Sequence, residues 1–379
     1  MKTLIAICGV LLLAACSTMP QRAVPESLFS DAAFGEAPTE LQTLDLFALS
    51  PAMRDFLLQD APKYTRRDGP SRGLYEAMRT RLHIDYDAST THTAAETFET
   101  RSGNCLSLVI LTAALARPLN IDVRYRFVPR ARTWTRTQGM VLQNGHVNIE
   151  LSPRATIAGS GIQPPLVVDF VPAENLESQV VQEIDQNTVM AMYLNNRAAE
   201  VLVAGDGRAA YWWARAAIHA APEYAAAYNT LGVIYLRHGD AQLAEGMFRF
   251  ELARTPQDPT LLSNLVVALD RQGRSGDAAR VRQQLAELDR YQPFALLDKG
   301  NAAIAGGDAA MAMKFYRQEL KHLPYSAELH YAIAVASARL GDTRGAREHL
   351  DEAMQLSLDV HDRDLYAGKL EKLRALQAF

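Results

Sequence analysis

A 34-residue period runs through the C-terminal half of the chain and constrains its fold more than any other feature. Five glycines share one position of the period and five alanines share another: Gly205, Gly239, Gly273, Gly307 and Gly341, and Ala210, Ala244, Ala278, Ala312 and Ala346. A glycine can end a helix in the left-handed conformation that residues with a Cβ resist. The small alanine lets two helices approach closely. The period therefore predicts a stack of similar units, each with a helix A and a helix B.

The clearest copy of the period, YNTLGVIYLRHGDAQLAEGMFRFELARTP, resembles the tetratricopeptide repeat. Seven of its residues stand where that pattern has W, L, G, Y, A, F and P: Tyr228, Leu231, Gly232, Tyr235, Ala244, Phe248 and Pro256. The resemblance implies five repeats over residues 191–360, stacked as a right-handed all-α solenoid whose concave groove binds a protein or peptide partner. Residues 361–379 are expected to form a capping helix.

Two polar residue types also recur with the period. An aspartate follows the glycine in four repeats, where its carboxylate can cap helix B: Asp206, Asp240, Asp308 and Asp342. An arginine recurs near the end of helix A in three repeats: Arg237, Arg271 and Arg339. These arginines could present a cationic strip to a bound peptide carboxylate. We favour the alternative that each offsets a helix dipole, an effect of about 0.3 to 1 kcal/mol.

The N-terminus has the features of an export signal. An apolar run after Lys2 ends at Ala15, well short of the roughly 20 residues that a membrane-spanning helix needs. Its end, LAAC, resembles the lipobox of bacterial lipoproteins. The resemblance implies a signal peptide over residues 1–15, a lipid on the thiol of Cys16, and an outer-membrane location facing the periplasm, which Ser17 favours. The alternative is an ordinary signal peptide that leaves Cys16 free.

The remaining composition sets the domain organisation. A chain of 379 residues exceeds one ordinary core, which predicts a second domain over residues 46–190. Residues 16–45 are largely polar and broken by prolines, so they are predicted to be a flexible tether. The net charge of −4 gives no argument for a nucleic-acid partner. Neither metal-ligand spacing nor a glycine-rich phosphate loop after a strand is present, so no metal or other cofactor is expected.

Cys105 stands apart from the other two cysteines, Cys8 and Cys16. If Cys8 is removed with the signal and Cys16 carries lipid, Cys105 is left as a single thiol in an oxidising compartment, either bridging to another chain or reactive. The segment RSGNCLSLVILTAALARPLNI changes from polar to apolar at this residue. It predicts a buried helix with the thiol at its N-terminus, where the helix dipole and free N–H groups favour the nucleophilic thiolate.

Two downstream segments supply candidates for a base and a carboxylate. HVNIEL alternates polar and apolar residues, which predicts a half-buried strand with His146 on its polar face. PPLVVDF predicts a more deeply buried strand that contains Asp169, whose carboxylate needs a hydrogen-bonding partner there. Cys105, His146 and Asp169 in this order suit a nucleophile, a general base and an orienting carboxylate. His92, in a predicted loop or helix start, is a rival base.

These segments together resemble the transglutaminase-like superfamily over about residues 70–175. TAAETFETRSGNCLSLVILTAALAR resembles more narrowly the bacterial members that precede tetratricopeptide repeats. The resemblance implies a papain-like α+β fold and a Cys105–His146–Asp169 triad. Asn104 stands where true transglutaminases typically have glutamine, which favours amide cleavage over crosslinking. Asn104 is also a candidate oxyanion donor beside the backbone N–H of Cys105, or alternatively a helix cap.

Three functions are compatible with these residues: a thiol-dependent peptidase or amidase, a crosslinking enzyme with the same triad, and a catalytically inactive scaffold. We favour the hydrolase. One further segment, RYRFVPRARTWTRTQGM, carries five arginines around Trp134: Arg124, Arg126, Arg130, Arg132 and Arg136. They could hold an anionic substrate at the edge of the cleft. A solvated hairpin is the more common structure for such a run.

Overall fold

The computed structural model describes residues 24–87, 90–137, 140–153, 164–170, 181–288, 291–357 and 360–375. The predicted signal peptide, Cys16 and Ser17 lie outside these residues. Within these seven ranges, no helix combines the length and the apolar character that are needed to cross a membrane.

The N-terminal half of the chain combines short helices with two small sheets. Its helices are α1 (Asp31–Phe34), α2 (Thr39–Thr43), α3 (Pro51–Gln59), α4 (Ala61–Asp68), α5 (Pro70–Arg81), α6 (Ala94–Thr100) and α7 (Cys105–Ala116), with 3-10 turns at Glu26–Leu28 and Arg117–Leu119. Its strands are β1 (Asp85–Tyr86), β2 (Ser102–Gly103), β3 (Ile121–Thr137), β4 (Met140–Pro153), β5 (Leu166–Val168) and β6 (Gln182–Ile184). This is the predicted α+β class.

The larger sheet has the strand order β5-β4-β3-β6, and each of its pairings is antiparallel. Helix α7 packs against β3 and β4 and also touches α5, α6 and α8. Each of its residues from 106 to 116 is buried, as expected for a helix that is apolar on all sides. The predicted buried helix that begins at Cys105 is therefore confirmed.

The C-terminal half consists of helix pairs followed by a terminal helix. The pairs are α8 (Gln186–Val203) with α9 (Gly207–Ala220), α10 (Ala225–His238) with α11 (Ala241–Leu252), α12 (Pro259–Arg271) with α13 (Ser275–Ala286), α14 (Ala295–Ala305) with α15 (Ala309–Leu320), and α16 (Ala327–Arg339) with α17 (Thr343–Leu356); α18 is Val360–Ala375. The five periodic glycines all have positive φ angles, from 73° to 103°. The five periodic alanines are fully buried. The predicted pairing of helices A and B is confirmed.

The capping role predicted for the periodic aspartates is confirmed at three of four positions. Asp206, Asp308 and Asp342 each accept the backbone N–H three residues further on. Asp240 occupies the equivalent position but makes no capping bond with its side chain. Its carboxylate instead lies 2.6 Å from Nδ1 of His238. The partner of this carboxylate is therefore a histidine ring nitrogen and not a backbone N–H of helix B.

The segment predicted to be a tether packs against the repeats instead. Phe34 is 1% exposed and stacks on Tyr211 of α9, with ring centroids 4.2 Å apart. The Tyr235 hydroxyl of α10 donates to the Leu28 carbonyl at 2.7 Å. The prediction of a flexible tether over 16–45 is therefore wrong for residues 24–45. The prolines there separate short helices, and the apolar side chains between them provide enough contact surface to bind the repeats.

The β3–β4 hairpin is also more than a solvated loop. Near the sheet, Arg124 and Arg126 lie 3.6 and 3.8 Å from the Glu150 carboxylate. Further out, Arg136 pairs with Asp298 of α14 and Glu328 of α16. The hairpin was expected either to hold a substrate or to lie in solvent, and for Arg136 both expectations are wrong. Two carboxylates at sequence-distant positions engage its guanidinium.

Candidate active site

Cys105 lies partly buried at the first position of α7, and Asn104 caps that helix. The Oδ1 atom of Asn104 accepts both the backbone N–H and the hydroxyl of Ser107, each at 3.0 Å. Its Nδ2 atom donates to Oγ1 of Thr91 at 2.7 Å. Of the two roles considered for Asn104, the structure contains the helix cap. The cap fixes the start of α7 and thereby the position of the cysteine.

His146 and Asp169 lie against each other at the edge of the sheet. The Nε2 atom of His146 is 3.1 and 3.0 Å from the two carboxylate oxygens of Asp169, and His146 is only 7% exposed. Strand β5 pairs with β4 and brings Val168 opposite Ile149. Asp169 follows directly after β5 rather than lying within it as predicted. The predicted deep burial of this strand is also wrong, because β5 is an edge strand and Val167 is 45% exposed.

Asn148 belongs to the site although the sequence analysis assigned it no role. Its Nδ2 atom donates to Oδ2 of Asp169 at 3.0 Å, and the residue is buried. Alternate residues of a strand point to the same face, so Asn148 and His146 reach the carboxylate together. The alternation in HVN was the available signal.

Cys105 also lies within hydrogen-bonding reach of the His146 side chain. Burial alone lowers the pKa of His146, but hydrogen bonds to Asp169 and to Cys105, with the negative charges of both, raise this pKa to about 10. His146 therefore carries a proton at neutral pH. Because Nε2 faces Asp169, Nδ1 is the ring nitrogen available to the thiol. The three predicted catalytic residues form one contiguous group.

Two tyrosines lie near this group and come from different halves of the chain. Tyr86 of β1 pairs with Gly103 of β2, two residues before the cysteine. Tyr325 lies between α15 and α16. Burial raises the pKa of each phenol, and the charges of Cys105 and Asp169 raise it further. Both side chains remain 44 to 46% exposed. The loop between α15 and α16 therefore lies close enough to Cys105 for the charge of the cysteine to affect the pKa of Tyr325.

Thr91 connects the cap of α7 to the first helix of the repeats. Its backbone N–H donates to Oε1 of Glu200 at 2.8 Å, and its Oγ1 accepts from Asn104 and from Asn196 of α8. Burial raises the pKa of Glu200, while the Thr91 bond and the Arg197 ion pair at 2.6 Å oppose that shift. Helix α7, which begins at Cys105, is thus tied to α8 through hydrogen bonds at Thr91.

The remaining candidates from the sequence make the following contacts. The backbone N–H of His92 donates to Oγ of Ser107. Each recurring arginine donates to a carbonyl near the end of helix A in the preceding repeat: Arg237 to Leu202, Arg271 to Leu236, and Arg339 to Ile304. The cation therefore offsets the dipole of the neighbouring helix rather than that of its own. Among the described residues, no group of three or more His, Cys, Asp or Glu side chains is arranged to hold a metal ion.

Comparisons with known proteins support the division of the chain into a transglutaminase-like N-terminal half and a repeat-containing C-terminal half. Residues 65–153 match the family model of the transglutaminase-like superfamily, a span that contains Cys105 and His146 and ends before Asp169. No curated protein matches the chain.

Solved structures similar to the C-terminal half are TPR proteins. YrrB, a TPR protein with an unusual peptide-binding site, is 22% identical, with 48% of this chain and 92% of that chain covered and a TM-score of 0.25. A thermophilic TPR protein of Thermus thermophilus is 21% identical, with 48% and 98% covered and a TM-score of 0.33. PilF of Pseudomonas aeruginosa is 17% identical, with 51% and 99% covered and a TM-score of 0.29.

These TM-scores are low, so the repeat assignment rests on the 34-residue period and on the helix pairs themselves. The assignment of the N-terminal half rests on the match to the family model. The chain therefore contains a transglutaminase-like domain, matched over residues 65–153, followed by a solenoid of tetratricopeptide-type helix pairs.

Proposed function

We propose that the protein is a cysteine-dependent amide hydrolase of the peptidase or amidase type. One observation carries the proposal: the His146 ring contacts the Asp169 carboxylate through Nε2 at 3.0 and 3.1 Å and is within hydrogen-bonding reach of the Cys105 thiol. A thiol paired with a protonated imidazole at a helix N-terminus is the arrangement that activates a cysteine nucleophile. The carboxylate holds the imidazole in orientation and favours its charged form.

The proposed reaction has two steps. The Cys105 thiolate attacks the amide carbonyl carbon, the amide C–N bond breaks, and His146 gives its proton to the leaving amine. A thioester between Cys105 and the acyl group remains. In the second step His146 takes a proton from water as the water oxygen attacks the thioester. The C–S bond then breaks, and the carboxylic acid and the thiolate are released.

The charge that develops on the carbonyl oxygen needs hydrogen-bond donors. The backbone N–H of Cys105, at the N-terminus of α7, is the first donor that we propose. Asn104 is the second. Its Nδ2 group has two protons, and the contact with Thr91 at 2.7 Å uses one of them.

The make-up of the chain also suggests a protein-interaction scaffold. A transglutaminase-like domain joined to tetratricopeptide-type repeats suggests binding of a protein or peptide. An inactive scaffold is therefore the second candidate function. A crosslinking enzyme would use the same thioester but transfer the acyl group to an amine. We further propose that a lipid on Cys16 holds the protein at the outer membrane, facing the periplasm, for which the LAAC sequence is the support.

Alkylation of Cys105 by iodoacetamide tests the catalytic proposal. A chain carrying Cys8→Ser and Cys16→Ser retains Cys105 as its single thiol. At pH 7 we expect it to react about tenfold faster than free cysteine, because little of a free thiol is ionised there. His146→Ala should bring the rate down to that of free cysteine. A parent chain that reacts no faster than free cysteine favours the scaffold.

The same chain distinguishes hydrolysis from crosslinking. Hydrolysis predicts release of a new carboxylate from peptide substrates and no incorporation of an added amine into a glutamine-bearing protein. Cys105→Ala should abolish whichever reaction is observed. The lipid proposal is tested by the mass of the mature N-terminus and by fractionation, in which Cys16→Ala should move the protein from the membrane to the soluble fraction.

A further inference from the structure

The end of the β3–β4 hairpin lies among the A helices of the repeats. Val141 of β4 donates its backbone N–H to Oδ1 of Asn264 at 3.0 Å. Its carbonyl accepts from Nδ2 of Asn229 at 2.8 Å and from Nδ2 of Asn264 at 2.9 Å. Asn229 belongs to α10 and Asn264 to α12, so two repeats hold the two polar groups of a single strand residue.

The two asparagine side chains lie in the interior of the solenoid, at its contact with the hairpin. Both are buried, with 3% and 0% of their surfaces exposed. They also bond to each other, from Nδ2 of Asn264 to Oδ1 of Asn229 at 2.7 Å. Buried amides are costly unless their donors and acceptors are matched. Here the backbone N–H and carbonyl of Val141 are the matching partners. The backbone of a bound peptide has the same two groups.

The opposite strand of the hairpin is held by the next two repeats. Arg136 lies directly across the ladder from Val141. Its guanidinium lies 2.6 Å from the Asp298 carboxylate of α14 and 2.7 Å from the Glu328 carboxylate of α16, and it stacks over the ring of Phe294 at 4.8 Å. Trp134 of the same strand meets Tyr291 edge to face. The hairpin therefore contacts helix A of four successive repeats.

The ladder between the two strands is irregular at the point where His146 lies. Val128 pairs with His146, and the register then changes before Thr133 pairs with Asn144. Four residues of β3 and one residue of β4 have no ladder partner between these two pairs, so the ladder is interrupted on one side of His146. On that side β4 pairs with β3 again from Asn144, and the repeats hold this outer part of the ladder at Val141, five residues from His146 or about 17 Å of strand.

We propose that the hairpin is the occupant of the repeat groove at this place, and that Asn229 and Asn264 are positioning residues for His146. The amides hold Val141, Val141 fixes the outer part of β4, and β4 holds His146 over the start of α7. The proposal rests on the role given to His146 in the proposed function. It also means that a peptide partner cannot use the Asn229–Asn264 part of the groove while the hairpin lies there.

The test compares the Asn229→Ala/Asn264→Ala double variant with Asn301→Ala. Asn301 is a control for substitution on a helix A: it is exposed on α14 and accepts from Tyr316 rather than from the hairpin. The first readout is the pKa of the His146 ring, followed by NMR. We expect a raised His146 pKa in the parent and in the control, and a lower pKa in the double variant.

The second readout is the alkylation rate of Cys105 at pH 7, which should fall about tenfold or more in the double variant, as for other small displacements of a catalytic group. Amide exchange in β4 reports whether the hairpin has been released. A released hairpin with an unchanged His146 pKa overturns the proposal. If the double variant does not fold, Arg136→Gln replaces it, with the same expected direction and a smaller effect.

Failure of this inference is distinguishable from failure of the proposed function. The His146 pKa and the exchange of β4 amides are measurable in a protein that turns over no substrate. An inactive parent whose His146 pKa still depends on Asn229 and Asn264 would refute catalysis and keep the positioning role.

Discussion

His146 and Asn148 reach the Asp169 carboxylate from the same face of β4, at 3.0 to 3.1 Å. The carboxylate is thereby oriented by two donors of one rigid strand. Asn148 fixes the carboxylate, and the carboxylate in turn fixes the imidazole. The orientation of His146 toward Cys105 therefore depends on a residue that does not touch the sulfur.

Asn148→Ala should lower kcat about tenfold with little change in KM. The reason is that a hydrogen bond to a charged group contributes about 1.5 to 3 kcal/mol. Steady-state kinetics on a cleaved peptide measure both constants. Glu150→Gln is the matched control, because Glu150 lies two residues further along the same strand and faces Arg124 and Arg126 instead. Equal losses in the two variants would contradict an orienting role for Asn148.

The activity should fall on the alkaline side with an apparent pKa near 10. In the proposed reaction His146 must be protonated to give its proton to the leaving amine, and its pKa is raised to about 10. Asp169→Asn removes a negative charge and a hydrogen-bond acceptor that stabilise the imidazolium, so the alkaline limb should move to lower pH. A pH–rate profile whose alkaline limb is the same in parent and variant would argue that Asp169 does not act on His146.

The same shift predicts the pH dependence of stability. A group with a raised pKa in the folded state stabilises that state fully below its unfolded value, near 6.5, and loses this contribution as the pH rises toward 10. The difference in unfolding free energy between the parent and His146→Gln should therefore be constant in acid and shrink between about pH 6.5 and 10. Denaturant unfolding at several pH values measures it. A difference that grows over this interval would have the wrong sign.

Tyr325→Ala should raise KM more than it lowers kcat. Tyr325 belongs to a repeat loop, is 44% exposed, and senses the charges of Cys105 and Asp169, so it is placed to contact a bound substrate. The alkylation rate of Cys105 should be unchanged, since the triad is intact. Leu340→Ala, at the opposite end of α16 and 49% exposed, serves as the control. A normal KM in Tyr325→Ala would exclude Tyr325 from the substrate site.

Phe34→Ala should destabilise the protein by about 3 kcal/mol, the loss expected when a buried aromatic ring is removed. The ring is 1% exposed and stacks on Tyr211. Thermal or denaturant unfolding measures the loss. Leu58→Ala, with 76% of Leu58 exposed, should change stability little. An unchanged Phe34→Ala protein would restore the interpretation of this segment as a tether.

The features predicted correctly from the sequence are those encoded in local patterns. The periodic Gly239 or Ala244 specifies a helix end or a close helix contact within its own repeat. The change from polar to apolar at Cys105 specifies where a buried helix begins. Alternation places His146 on one face of a strand, although the prediction of a half-buried strand is wrong, because both faces are buried, with His146 7% and Val147 0% exposed. Each of these needs only neighbouring residues, because helices and strands have fixed periods.

The features that were missed depend on partners far along the chain. Nothing near Arg136 indicates that its partners are Asp298 and Glu328. Phe34 looks like an exposed aromatic residue in a proline-broken segment until Tyr211 is placed beside it. The order of contacts between distant elements is set by packing of the whole molecule, which local patterns do not contain.

The hairpin contact with the repeats limits how this gene can be recombined. Replacing the repeats of this protein with those of another protein would remove Asn229 and Asn264. The new repeats would have to place two buried amide side chains where they can bond to the Val141 backbone. A chimera that lacks them would leave the strand backbone unpaired in the interior. The two halves are therefore expected to have been inherited together and to change together, as one unit of selection.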